Sequence, residues 1–408
     1  MANTIKNLSD GDLVRLALAS FHNKSKFIKT INRQYDKRFA IEGAKNGGSL
    51  LIKDPNEYEV TTGAIMNTQD ITETTQTLTV ATQKHIAFAF SSLERTMYVS
   101  DFEENYMNPA MSRLAAEVEY TVLSNVYKNV YNLSGTPATT PATLGAVLNA
   151  GVKLTQGLAP DDNRSVLLDP LAMAATVGGA SLAYFHKASE LERGFSEGFF
   201  GRAAGFDWYQ STMVPNHTNG TRTDSTPIVA NLANVANGDT TLVTTGQTSG
   251  QTLKAGDVFT CAGIYAVNQE TKQVYQHLQQ FVVTADKTCD ATDTISIAPT
   301  IYKSGPRQNV YHATWTSTAA IVHVAAGGSG TASAVYPQNL AYHKDAFTFV
   351  SADLHMEPGQ RMARAVIEDV AMRIWHVADG INDKFKTRID VLFGYKTMRP
   401  QWACRLRG

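Results

Sequence analysis

Residues 108–131 read NPAMSRLAAEVEYTVLSNVYKNVY, and the rest of the chain is organised around this stretch. Asn108 is a good N-cap, and Pro109 then falls at the first helical position, where its missing N–H costs nothing. Apolar side chains recur at Met111, Leu114, Ala115, Val118, Val122, Val126 and Val130, which is the helical period. Asn132, Gly135 and Pro137 then break the run. A helix of this length spans ~35 Å, the width of a small domain. Taken alone, it fits a long core helix of any α+β protein as well as the backbone of a larger architecture.

Upstream, residues 9–40 read as helical and amphipathic. Ser9 or Asp10 can cap a first piece in which Leu13, Leu16, Ala17 and Phe21 share a face. A second piece carries Phe27, Ile28, Ile31, Tyr35 and Phe39. From Gly47 the period changes to two. SLLIKDP (49–55), EYEVTTG (57–63), TQTLTVATQ (75–83) and HIAFAFS (85–91) are strand-like and predict a long antiparallel hairpin. A two-stranded hairpin is marginal alone in water, so this one requires a partner surface. Residues 100–103, SDFE, form a capping-box pattern.

Downstream, the Pro/Thr-rich SGTPATTPAT (134–143) reads as a linker. A helix is expected over 144–158, a buried strand within RSVLLDP (164–170) and a second helix over 170–177. Residues 192–211, ERGFSEGFFGRAAGFDWYQS, read as a Gly- and aromatic-rich loop whose Phe195, Phe199 and Phe200 suggest docking against a partner. From about 221 to 339 charges thin out and short alternating strands follow one another between turn residues such as Gly256, Asn268 and Asp293. That spacing predicts a small β-barrel or sandwich inserted into an α+β chain. RMARAVIEDVAMRIW (361–375) fits helix or strand, with β-branched residues favouring strand in its second half. TRIDVLFGYKTMRPQWACRL (387–406) reads as a strand, a turn at Gly394 and a final edge strand after Pro400.

With 36 Lys and Arg against 37 Asp and Glu, the 408-residue chain has a net charge of −1. No overall field attracts nucleic acid or an acidic membrane. Cys261, Cys289 and Cys404 form no CxxC, which fits a reducing compartment. No signal-peptide h-region and no apolar run of ~20 residues is apparent, so neither secretion nor a membrane span is expected.

Chemical motifs are few. There is no G-x-S-x-G elbow and no H-E-x-x-H helix. Asp353, His355 and Glu357 alternate and could share a strand face as metal ligands, but a solvent-facing strand end gives the same pattern and is the preferred reading. Asp161-Asp162 reads as a turn, and the 327–330 GGSG lacks the Lys-Ser/Thr of a phosphate loop. No catalytic residue, cofactor or metal is expected.

The collinear order of segments is more specific than any motif. INRQYDKRFA (31–40) is followed by LLIKDPNEYEV (50–60) and FSSLERTMYVSDFEENYMNPAMSRLAAEVE (90–119). Then come FDWYQSTMVPNHTNGT (206–221), AGDVFTCAGIYAVNQETKQVYQHLQQFVV (255–283) and NLAYHKDAFTFVSADL (339–354). Together these resemble the major coat proteins of tailed bacteriophages, specifically the short-tailed-phage coat family that carries an inserted β-domain. The resemblance implies the α+β major capsid fold shared by tailed phages and herpesviruses, with N-arm, extended β-hairpin loop, long spine helix, peripheral and axial domains, and an inserted small β-barrel domain.

On that resemblance, residues 1–40 correspond to the N-arm, 41–100 to the extended loop and peripheral strands, and 101–221 to the spine helix and first part of the axial domain. Residues 222–340 correspond to the inserted domain, and 341–408 return to the axial and peripheral domains. The implied function is self-assembly, as pentamers and hexamers, into an icosahedral procapsid and then a mature head around double-stranded DNA. Implied partners are a scaffolding protein, a portal protein and DNA bound without sequence preference, with assembly in the bacterial cytoplasm and no membrane. Subunit contacts are expected at Phe21, Phe27, Tyr58, Val60, Phe195, Phe199 and Phe200. In the inserted domain, the stretch where relatives pair charges between capsomers carries Asp239, Lys254 and Asp257, which adds Asp239 and Lys254 as contact candidates. The alternative is a tail- or adhesin-type binding module with the β-domain as its recognition unit.

Overall fold

The computed structural model describes residues 10–35, 49–58, 60, 62–64, 68, 73–91, 106–135, 139–178, 201–222, 228–229, 232–315, 318–323, 332–354, 356 and 361–407. The chain divides into two compact units. One comprises residues 1–52, 75–122 and 347–396, the other 53–74, 123–346 and 397–408.

In the first unit, helix α1 (Asp10–Lys24) turns Val14, Ala17, Leu18 and Phe21 to one side at helical spacing, and all four are enclosed. It packs on the antiparallel strands Arg361–Ile367 and Val370–Asp379. The short helix α2 (Phe27–Thr30) buries Phe27 and Ile28, and the Phe27 ring lies 5.6 Å from that of Phe347. Helix does not continue to residue 40 as the pattern suggested. Asn32–Tyr35 is a strand, paired in parallel with residues 348–351 of the strand Phe347–Ala352. A pairing across more than 300 residues leaves no trace in the local period.

The unit's sheet runs in the order 32–35, 347–352, 384–397, 370–379 and 361–367. The 17-residue strand Thr75–Ser91 pairs antiparallel with Lys384–Thr397 over most of its length, and Ser49–Lys53 pairs with it in turn. The two strands expected at 75–83 and 85–91 are therefore one. The segment expected as a strand at 57–63 has none among its described residues. The whole of 361–379 is a hairpin, closed by Glu368 and Asp369 with φ of +47° and +64°, the backbone of a two-residue primed turn. Gly394 is a β-bulge inside a continuous strand, not a turn. The register shifts there, and a Cβ would come within 2.4 Å of the Thr79 carbonyl oxygen.

The central helix α3 is Asn108–Val126, followed by a 3-10 turn at Tyr127–Asn129. Helical turns already begin at residues 106–107, so Asn108 lies within the run instead of capping it. Met111, Leu114, Ala115, Val118 and Val122 are enclosed as the period requires. Glu119 is buried too, and its carboxylate accepts the Lys26 backbone N–H at 2.7 Å.

In the second unit, helices α4 (Leu144–Gln156) and α5 (Pro170–Gly178) share a core with a mixed sheet. The sheet order is 133–134, 403–406, 339–343, 164–168, 206–210 and 202–203. All five residues of Arg164–Leu168 are buried, as the apolar run implied. The closing strand Ala403–Leu406 is internal, flanked by Leu133–Ser134 and Asn339–His343, so the expectation of an edge strand fails. The second half of the predicted loop is also ordered: Arg202–Ala203 and Phe206–Gln210 pair around Ala204 and Gly205, both at positive φ.

Strands Ile228–Val229, Asp239–Thr245, Thr292–Ile301, Val274–Val283, Val258–Val267 and Ala319–His323 close on one another in an all-antiparallel barrel. Closure removes the unpaired edges that free strands would expose. Phe259 and Phe281 stack 5.7 Å apart inside it, surrounded by Leu242, Ile295, Ile297 and Ile321.

Candidate functional site

Beneath the barrel, within the second unit, a buried polar cluster ties together segments far apart in sequence. The Arg405 guanidinium is fully enclosed. It donates to the Val130 carbonyl at 2.8 Å from Nε, and to the Gly256 carbonyl at 2.7 Å from Nη1. His217 joins the Tyr127 hydroxyl at 3.0 Å to Asp257 at 2.8 Å, and the other Asp257 oxygen accepts the backbone N–H groups of Gly220 and Lys254. Burial pushes the His217 imidazole below its ordinary pKa, against the pull of Asp257. Burial likewise brings Arg405 down to about 9, helped by the neighbouring Arg407. The cluster fixes the end of the central helix, the entry to the barrel and the C-terminal strand to each other. Nothing in it is open to a substrate, so its chemistry is structural.

What the surface offers is apolar. Helix α4 buries Leu144, Val147, Ala150 and Leu154 on its sheet side. Its opposite side carries Gly145, Leu148, Asn149, Val152 and Thr155, all exposed and none charged. Leu148 is 49% and Val152 52% exposed, and Leu171 of α5 is exposed as well. A helix apolar on both faces in a soluble protein has a second surface to bury. In the first unit, Ile381 stands 95% exposed at the tip joining Val370–Asp379 to Lys384–Thr397. The Asp379 carboxylate holds that tip in shape by accepting from the Ile381 and Asn382 N–H groups and from Lys386 Nζ at 2.9 Å.

The expected contact residues fall into three groups. Tyr58 and Val60 are exposed, Val60 at 93%. Phe21 and Phe27 are fully enclosed by their own unit, because the helices carrying them supply its core; the expectation that they face outward is corrected. Phe195, Phe199 and Phe200 lie outside the described residues. In the barrel, Asp239 accepts the Ala236 N–H at 2.6 Å and Lys254 Nζ pairs with Asp286 at 2.9 Å, so both have partners in their own chain. Asp257, the third charge of that stretch, is buried against His217. Of the possible metal cluster, Asp353 pairs with Arg364 at 3.2 Å, while His355 and Glu357 lie outside the described residues. Asp161 pairs with Arg164 at 2.8 Å. Among the described residues no group of three or more His, Cys, Asp or Glu could hold a metal ion, and no helix is long and apolar enough to cross a membrane.

A family model described as P22 coat protein (gene protein 5) matches residues 9–408. The chain belongs to the P22 coat protein family. As a major capsid protein it assembles in many copies into an icosahedral shell, and its place is the virion. The coat protein's fold agrees with a structure of Mycobacterium phage Che8, at a TM-score of 0.50 and 13% identity over 93% of this chain and 90% of that one. Lower-scoring similarities include the capsid of Ralstonia phage GP4 (TM-score 0.46, 7% identity, 92% and 87% covered). The capsid of cyanophage P-SCSP1u is another (TM-score 0.44, 12% identity, 94% and 87% covered). No curated protein matches the chain in sequence.

Sequence reasoning about the coat protein missed Leu148, Val152, Leu171 and Ile381. For α4 a signal was present: apolar residues recur on both sides of the helix, and Lys153 is its only charge. For Ile381 there was none, since a single apolar residue in a polar turn is ordinary.

Proposed function

We propose that the coat protein closes its shell chiefly through exposed apolar side chains. These are Leu148 and Val152 on the uncharged outer face of α4, Tyr58 and Val60 beside the exposed Glu57, and Ile381 at a hairpin tip that also exposes Asp383 and Lys384. The observation that carries this reading is the α4 face, an exposed stripe without a single charge on a helix whose other side already fills the core. Many weak copies of such a contact sum to a stable shell while each remains reversible, which permits correction of misplaced subunits. A net charge of −1 keeps repulsion between packed subunits small.

The finer family expectations belong to the same reading. A scaffolding protein guides a procapsid that later becomes the mature head, and a portal occupies one vertex. Double-stranded DNA is enclosed by confinement, with weak contacts that ignore sequence. Synthesis and assembly take place in the bacterial cytoplasm, and the chain performs no catalysis. The barrel at 222–340 acts as an inserted domain, with the arm at 1–40 and the loop at 41–100 overlapping neighbours. Expressed with its scaffold, the protein should sediment as megadalton shells visible by negative-stain microscopy. A species that stays monomeric under every assembly condition would overturn the proposal.

A further inference from the structure

Within the second unit a small cleft of about 50 Å³ opens between α4, residues 131–132 and the barrel strands Val258–Val267 and Val274–Val283. Its lining includes Lys153 from the helix and His277 from the barrel, and no Asp or Glu. The two basic groups are close enough for Lys153 to oppose a charge on His277. With burial as the larger cause, that holds the imidazole down to about 4. Burial also lowers Lys153, against the opposing pull of the buried Cys404 thiol.

Several other polar groups of the lining already have partners, whereas the side-chain oxygen of Gln156 is buried without one. The Asn132 amide donates to the carbonyls of Gln401 and Ala403, the Asn309 amide to Thr300, and the Tyr275 hydroxyl to Gln156. Lys153 and His277 have no hydrogen-bond or ion-pair partner among the described residues; His277 is only stacked on Tyr275, with centroids 5.3 Å apart. Half-buried cations are ordinarily matched by a carboxylate. Here two basic side chains converge from different elements on a space that contains none.

We propose that this cleft binds one small oxyanion, of the size of phosphate or a carboxylate group, between Lys153 Nζ and the His277 ring. The anion completes the coordination that the lining leaves open and bridges α4 to the barrel strand Val274–Val283. Charge-assisted hydrogen bonds of this kind are among the stronger ones, and removing one partner is worth about tenfold or more in affinity. The charged and titratable groups facing His277 are Lys153 from α4, Tyr275 from its own strand and Tyr131 from the segment after α3. An anion therefore meets no negative charge, and its arrival favours the imidazolium.

The test uses the unassembled full-length subunit at constant ionic strength, with inorganic phosphate replacing chloride. The His277 Cε1–H resonance should shift saturably, its pKa should rise, and the thermal midpoint should rise along the same curve. Lys153→Met should weaken binding at least about tenfold, and Lys153→Arg should retain it. Acetate serves as the second probe: tighter binding of phosphate assigns the site to a doubly charged anion, and equal binding assigns it to a carboxylate. If His277 does not respond to phosphate or acetate up to about 100 mM, far above a millimolar Kd, the proposal is wrong. It is equally wrong if Lys153→Met binds as the unaltered protein does.

Discussion

Replacing Leu148 and Val152 together with glutamate separates folding from assembly. Both side chains are about half exposed and lie outside the fully buried core set of α4, and glutamate is at least as good a helix former as valine. Full burial of a Leu or Val side chain is worth about 1.5–3 kcal/mol, and half of that area is still available for a neighbour. The two residues then supply about 2 kcal/mol to each contact they join, equivalent to about thirtyfold in its equilibrium constant. Burying two carboxylates at the same place adds a desolvation cost of the same sign. With the face engaged once per subunit, the critical concentration for shell formation should rise at least about thirtyfold. Light scattering against concentration measures it, with negative stain to identify the products. The unfolding free energy of the dissociated subunit in urea should fall by no more than about 2 kcal/mol, the contribution of the buried halves, leaving it folded. A double variant that forms shells at the ordinary critical concentration would place this helix face in solvent and refute the reasoning.

Gly394→Ala drives a Cβ toward the Thr79 carbonyl, which is backbone on a paired strand and cannot swing away; a loss of about 1–3 kcal/mol in urea unfolding is expected. His217, His277 and His343 all have folded pKa values below the ordinary 6.5, so their unfolded forms bind protons first. Their contribution is fully present above pH 6.5 and is lost as pH falls towards the folded values, about 4 for His277, so the urea midpoint should drop across that window. Burial pushes the Cys261 and Cys404 thiols up to about 12, so neither should react with a thiol reagent in the native subunit, while both should once it is unfolded in urea. Val60→Lys should leave subunit stability unchanged and raise the critical concentration for assembly, and unchanged assembly would remove this segment from the contact surfaces.

The features legible in the sequence are those whose cause is local. The central helix shows in the period of Met111, Leu114, Val118 and Val122, and the strand Arg164–Leu168 shows in the apolar triplet Val166-Leu167-Leu168. The barrel strands show as alternation between turn residues. What stayed hidden depends on partners distant in the chain. The strand Asn32–Tyr35 exists because residues 348–351 lie beside it. Gly394 looks like a turn until its opposite strand is known to continue past it. The hairpin at Glu368 and Asp369 uses two left-handed residues where glycine or asparagine would have announced the turn. Arg405 and His217 carry no local mark, because their partners at residues 127, 130, 256 and 257 converge only in the fold. On the surface, Leu148 and Val152 of α4 were legible as apolar positions, but their exposure follows from which side of the helix the sheet takes.

Several charges of the coat protein are matched within their own unit. Asp390 is fully buried between Arg373 at 2.8 Å and Arg388 at 2.6 Å, and Asp379 is taken up by Lys386 and its own turn. Lys254 is matched by Asp286, and Lys84 by Glu117. These pairs lie within one unit or the other, so these particular side chains are matched without a neighbour. A coat subunit must meet its neighbours in several slightly different geometries. Ion pairs are directional and lose their value when the geometry is off, whereas buried apolar area is non-directional. On the proposed reading, Leu148, Val152, Val60 and Ile381 supply apolar contacts that tolerate a change of angle. The single fold supplies both: directional bonds where one arrangement must hold, and apolar area where the arrangement must vary around the shell.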